Sequence, residues 1–141
     1  MRLYVDTSVL LRRVFVTDTR AAEAVAFLAQ QHASGHVIES SIMARVEAER
    51  ALRARRAAGG LPDDYDLAGA VDAVLAGVQL VAFTKEVAEV AAGLEPGGLR
   101  SLDAVHVATA ILDAVDQFVT CDARQAAAAQ TNSLHVIDPA T

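Results

Sequence analysis

A chain of 141 residues with 53% hydrophobic content is long enough to bury a core without a structural metal or a disulfide network, and its length fits one domain, residues 1–141. The net charge of −6 argues against a broadly basic nucleic-acid face, and the lone Cys121 excludes an internal disulfide and a cysteine-based zinc site. No apolar run nears the ~20 residues of a membrane span and the N-terminus has no signal-peptide pattern, so the expectation is a cytoplasmic protein without membrane contact.

Leu3, Tyr4 and Val5 read as a buried strand that delivers Asp6 to its C-terminal end, with Thr7 and Ser8 following and an apolar segment over Val9 to Phe15. Thr17, Asp18 and Thr19 supply capping chemistry for a helix from about Arg20 to Ala33, which carries the apolar stripe Ala21, Ala24, Val25, Leu28 and Ala29 and ends at Ser34 and Gly35. His36 to Glu39 form a second strand, and Ser40 or Ser41 caps a helix of about Ile42 to Ala58, stopped by Gly59 and Gly60. Pro62, Asp63 and Asp64 open a further helix to Leu75. A third strand covers Val78 to Phe83, and Thr84 caps a helix from Lys85 to about Leu94.

Glu95, Pro96, Gly97 and Gly98 form the clearest turn, after which Ser101 caps a helix of about Leu102 to Ala114. Gln117 to Cys121 make a fourth strand that ends at Asp122, Ala123 to Gln130 are helical by propensity, and Leu134 to Ile137 are a last short strand. This alternation implies an α/β fold, a three-layer α/β/α arrangement with a central parallel sheet of about five strands and right-handed crossovers.

Four acids carry the chemistry. Taken singly, Asp6, Asp103 and Asp122 are explained as helix caps or first-turn acids, and Glu47 as a surface ion pair. Taken together they are placed to converge, because Asp6 and Asp122 end parallel strands, Asp103 begins a helix and Glu47 sits in the first turns of another. Clustered carboxylates repel one another unless a hard cation compensates, which points to Mg²⁺, with Mn²⁺ able to substitute. Two such ions ~4 Å apart can hold a phosphodiester, activate water and stabilise the leaving oxygen.

These residues resemble the PIN-domain nucleases, in particular the VapC-type toxins of VapBC toxin–antitoxin systems. The resemblance runs along nearly the whole chain, through Val5, Asp6, Thr7 and Ser8; Ser40, Ser41, Glu47 and Arg50; the run Leu102 to Ala110; and Phe118, Val119, Thr120, Cys121 and Asp122. It implies that Asp6, Glu47, Asp103 and Asp122 are metal-binding catalytic acids and that Thr120 is the hydroxyl accompanying them, with Ser8 a polar contact near Asp6. It further implies a homodimer, metal-dependent cleavage of RNA, with tRNA or rRNA as target, and inhibition by a VapB-type antitoxin. Ala126 to Ala129 depart from the family pattern, where larger apolar residues are usual.

All twelve basic residues except Lys85 are arginine, and Arg45, Arg50, Arg53, Arg55 and Arg56 share one helix. That helix reads equally as a solvated face paired with Glu47 and Glu49 or as a contact for RNA phosphates or an acidic antitoxin stretch, with Arg45, Arg50 and Arg53 as candidates. His106, one turn after Asp103, reads as a histidine hydrogen-bonded within the fold, and Cys121 as a small hydrophobe and not a nucleophile. Phe15 and Val16 fit a core role or a contact to antitoxin or a dimer mate. Two other functions compete: a haloacid-dehalogenase-like phosphatase with Asp6 as nucleophile, against which Ser8 stands where a second acid is expected, and a catalytically silent RNA- or protein-binding module.

Overall fold

The structure is a computed structural model that describes residues 1–16 and 18–140. Five strands, β1 (Arg2–Val5), β2 (Val37–Ser41), β3 (Val78–Val81), β4 (Gln117–Val119) and β5 (Val136–Ile137), form one sheet in the order β3-β2-β1-β4-β5, and every neighbouring pair is parallel. Parallel neighbours need crossovers, and helices supply them: α1 (Thr7–Leu10) and α2 (Thr19–Ala33) after β1, α3 (Met43–Ala57) and α4 (Leu67–Leu75) after β2, α5 (Lys85–Ala92) and α6 (Ser101–Leu112) after β3, and α7 (Ala123–Thr131) after β4.

Alternation along β1 divides its side chains between two cores. Leu3 and Val5 pack with Ile38 and Val119 against Ala24 and Leu28 of α2, Ala48 of α3 and Val74 of α4. Tyr4 and Phe118 face the other way, onto Val107 and Ala110 of α6 and Ala128 and Ala129 of α7. A sheet buried on both faces explains why β1 reads as a continuous apolar run instead of an alternating one.

The strand order bears directly on function. The chain steps outward from β1 to β3 and then returns to β4 on the far side of β1. Between β1 and β4 the crossovers therefore diverge and leave a crevice at the C-terminal ends of the strands, the place where open α/β sheets bind ligands. Asp6 follows β1 directly, and Thr120 and Asp122 follow β4.

Local chemistry sets the boundaries, with departures from expectation that have physical reasons. Asp6 caps α1 through Oδ1, which accepts from the Val9 N–H, so the apolar segment after the first strand begins as a helical turn and continues as a 3-10 turn over Leu11–Arg13. Asp18 caps α2 by accepting from the Ala21 N–H; Thr17, grouped with it as a capping residue, lies outside the described residues. β2 extends through Ser40 and Ser41, and Ser41 Oγ still accepts from the Met43 N–H at the start of α3. α4 opens at Leu67 under an Asp66 cap, not at Pro62, because Leu61 and Tyr65 are drawn onto Leu52 and Val71 in a loop conformation. At α6 the cap position is Arg100, without a side-chain capping bond, and Ser101 is the first helical residue. Among the described residues no helix is long and apolar enough to cross a membrane.

Candidate metal centre

Asp6, Glu47, Asp103 and Asp122 line one cleft of about 160 Å³ together with Thr7, Ser8, Arg100 and His106. The four acids come from four segments far apart in the chain, and the fold alone brings them to one crevice.

Asp6 is the most enclosed, with 5% of its surface exposed. Ser8 Oγ donates to its Oδ1 at 2.8 Å and Thr120 Oγ1 to its Oδ2 at 2.5 Å. Burial nevertheless dominates and raises its pKa, while the bonds from Thr120 and Ser8 and the nearby His106 pull it back. A carboxylate raised in this way gains from a cation placed against it. Thr120 does a second job, since its Oγ1 also accepts from the Asp122 N–H at 3.0 Å and so ties the ends of β1 and β4 together. Asp122 is fixed in turn as the cap of α7, with Oδ1 accepting from the N–H groups of Arg124 and Gln125.

Glu47 is reached from two sides. Thr7 Oγ1 donates to its Oε1 at 3.0 Å, and His106 Nε2 stands 2.6 Å from the same oxygen. Burial raises the Glu47 pKa, but His106 and Thr7 together outweigh it and hold the carboxyl below its ordinary value. Asp103, in the first turn of α6, is paired with Arg100, whose Nε donates to Oδ2 at 3.1 Å and whose Nη2 is 4.0 Å from Asp122 Oδ2. Among the described residues no three Asp, Glu, His or Cys side chains gather closely enough to enclose an ion. Each acid is held by another group instead, and an Arg100 guanidinium reaches two of them.

The donor chemistry fits a hard divalent cation. Four carboxylates with hydroxyl neighbours make an all-oxygen set of the kind Mg²⁺ and Mn²⁺ take, with no thiolate among them. Cys121 is half-buried against the Leu3 and Val5 core, with Sγ 3.6 Å from Asp138 Oδ1 and its pKa raised, chiefly by burial, which suits a thiol and not a nucleophile.

The arginines of α3 do not enter the cleft. Arg45, Arg50 and Arg53 lie on its exposed face, and Arg53 pairs with Glu49 one turn away at 3.6 Å. Phe15 packs into the Leu52 and Val71 cluster under the guanidinium of Arg55, whereas Val16 is exposed. Four residues near the cleft were not singled out by the sequence. Arg100 was legible as an i,i+3 partner of Asp103, and Thr7 as a hydroxyl beside Asp6. Tyr4 and Gln125 carried no signal, since one looks like a core aromatic and the other like a surface amide. Gln125 is in fact buried and donates from Nε2 to the Asp103 carbonyl at 3.3 Å, joining the starts of α6 and α7.

The fold and this acid-lined crevice define a class: the chain belongs to the PIN-domain family, whose model matches residues 3–130. It is 32% identical over 124 residues to Ribonuclease VapC47 of Mycobacterium tuberculosis (strain CDC 1551 / Oshkosh), covering 86% of this chain and 85% of that protein. It is 38% identical over 106 residues to Ribonuclease VapC46 of M. tuberculosis (strain ATCC 25618 / H37Rv), covering 74% and 75%. Among solved structures it shares its fold with VapBC2 from Rickettsia felis bound to a DNA fragment from their promoter, at a TM-score of 0.66 and 15% identity over 97% of this chain and 98% of that one. FitAcB from Neisseria gonorrhoeae has the same fold at a TM-score of 0.60 and 18% identity, over 97% of both chains.

Proposed function

We propose that this protein is a divalent-metal-dependent endoribonuclease, a single PIN-like domain acting as the toxin of a type II toxin–antitoxin pair in the cytoplasm. The observation that carries the reading is the meeting of Asp6, Glu47, Asp103 and Asp122 in one crevice at the sheet's switch point, in a PIN-family chain with relatives named as ribonucleases. These four acids would hold Mg²⁺ or Mn²⁺, which supplies activation of water and stabilisation of charge on the phosphodiester.

The protein's own groups do the rest. Thr120 and Ser8 keep Asp6 oriented against its burial, Thr7 and His106 keep Glu47 ionised, and the first turn of α7 fixes Asp122. Arg100 bonds Oδ2 of Asp103, and its guanidinium at the rim of the cleft has the planar geometry that suits a backbone phosphate as it suits a carboxylate. Arg45, Arg50 and Arg53, exposed on α3, offer further contacts to RNA, with tRNA or rRNA as the substrate class, or to an acidic stretch of antitoxin. The VapC relatives and the fold shared with VapBC2 support a VapB-type antitoxin as partner, and the reading includes a homodimer.

The test is incubation of total RNA with partner-free protein in Mg²⁺, Mn²⁺ or EDTA, comparing the native chain with Asp6→Asn and Asp103→Asn. Discrete fragments are expected with metal and not with EDTA, falling by about a hundredfold or more in both variants. Intact RNA throughout, from folded protein that also fails to bind Mn²⁺ by calorimetry, overturns the catalytic reading; hydrolysis of small phosphoesters in its place would favour a phosphatase using Asp6.

A further inference from the structure

Behind Glu47 lies a chain of buried polar groups that the proposed chemistry does not itself require. His106 is 2% exposed and Tyr4 is fully buried, stacked on Phe118 with ring centroids 5.4 Å apart. Tyr4 Oη is 2.6 Å from His106 Nδ1, and His106 Nε2 is 2.6 Å from Glu47 Oε1. Tyr4 Oη also accepts from the Ser41 N–H at 2.9 Å. Three elements, β1, α6 and α3, thus meet through one imidazole, and the end of β2 fixes the phenol behind it.

With the imidazole neutral, the protons in this chain have one consistent arrangement. A carboxylate 2.6 Å from Nε2 accepts and cannot donate, so Nε2 carries a hydrogen. In the neutral ring Nδ1 is then an acceptor, and the group facing it is the Tyr4 hydroxyl, which has used an oxygen lone pair on Ser41 and keeps its hydrogen to donate. A phenol keeps its hydrogen at neutral pH, so the Tyr4 hydroxyl remains a donor. Both Thr7 and His106 bond Oε1 of Glu47, and among the described residues no hydrogen bond is made to Oε2.

We propose that Tyr4 and His106 are positioning residues for the metal centre: the Tyr4 hydroxyl, donating to Nδ1, supports the Nε2–H tautomer of His106 that the Glu47 carboxylate selects, and that tautomer holds the carboxylate by Oε1 so that Oε2 serves the cation. The proposal rests on the four acids being the cation site and adds the groups that orient one of them. Without Tyr4 the ring gains a second tautomer, with hydrogen on Nδ1, in which a lone pair faces the Glu47 carboxylate and pushes it away.

Two measurements test it, neither of them catalysis. Nitrogen-15 NMR of the histidine side chains reads the tautomer of His106 in the native protein and in Tyr4→Phe, which keeps the stacked ring. Calorimetry reads Mn²⁺ affinity in both and in His106→Gln and His106→Ala, each checked for native folding by circular dichroism. Glutamine presents an N–H donor near the Nε2 position, and alanine presents none. The native protein is expected to show the Nε2–H tautomer and Tyr4→Phe a mixture, with Mn²⁺ affinity weakened about tenfold or more in Tyr4→Phe and His106→Ala and largely restored in His106→Gln. An Nδ1–H tautomer in the native protein, or equal Mn²⁺ affinity in the native, Tyr4→Phe and His106→Ala proteins, overturns the positioning role while leaving the metal centre standing. A native protein with the Nε2–H tautomer that binds no Mn²⁺ overturns the metal centre, and this role with it.

Discussion

Thr120 shows how much a single hydroxyl can organise. It donates to Asp6 Oδ2 and accepts from the Asp122 N–H, so it serves a buried carboxylate and a half-buried backbone donor at once. Replacing it with valine keeps the shape and removes both bonds, taking from Asp6 the hydrogen bond that does most to offset its burial and leaving Oδ2 without it. Thr120→Val should therefore lower the free energy of unfolding at neutral pH by about 1–3 kcal/mol in urea titrations, the range for leaving a buried polar group unpaired, whereas Thr120→Ser should stay near the native value. Equal losses in the two variants would assign the effect to the methyl group. The family resemblance placed this threonine beside the acids, but its two bonds emerge only when β1 and β4 lie side by side. Arg100 and Tyr4 mark the limits in opposite ways: one was readable from spacing along a helix, while the other's role depends on a histidine 102 positions away.

At the scale of elements, what could be read in advance was the order and kind of segments, because strands buried on both faces and helices with apolar stripes leave period and composition signals. All five strands and the main helices fall near their expected places. The misplaced start of α4 has a specific cause. Asp63, Asp64 and Asp66 offer equivalent capping chemistry, and packing of Leu61 and Tyr65 onto α3 and α4 chooses among them, which no local rule contains. The alanine run in α7 is a case where departure from the family pattern acquires a reason. Ala128 and Ala129 are buried against Tyr4, Val107 and Phe118, so small residues let this helix lie close to two aromatic rings. Enlarging one should overpack that contact. Ala129→Leu is expected to destabilise the protein by about 1–3 kcal/mol, while Ala127→Leu on the exposed side of the same helix should have little effect; thermal melts of the two distinguish packing from helix propensity.

Across the whole molecule, carboxylates buried at two places make stability depend on pH as well as on any bound cation. The second place is not part of the cleft lining: Glu39 of β2 is 2% exposed, with Arg2 Nε 3.7 Å from its Oε2, and Arg2 reaches on to Asp113 at the end of α6 at 3.5 Å. Its Oε1 has no hydrogen-bond partner among the described residues. Burial above all, with the Asp113 carboxylate adding to it and Arg2 opposing, raises the Glu39 pKa from 4.5 to about 8. The folded protein therefore keeps a proton that the unfolded chain releases, and unfolding grows easier as pH rises from about 4.5 to about 8, with no further loss from this group above that. Glu39→Gln presents a neutral amide at every pH and should flatten the profile. Because Arg2 and Asp113 are partly exposed and screened by solvent, the gain over the native chain is expected at roughly 2–4 kcal/mol near pH 9, several degrees in Tm, and close to nothing near pH 4. Thermal melts of both proteins across that range, in EDTA so that cation binding at the cleft does not contribute, make the comparison. Parallel curves would mean that Glu39 is already ionised in the folded state and that Arg2 alone is enough to hold its charge.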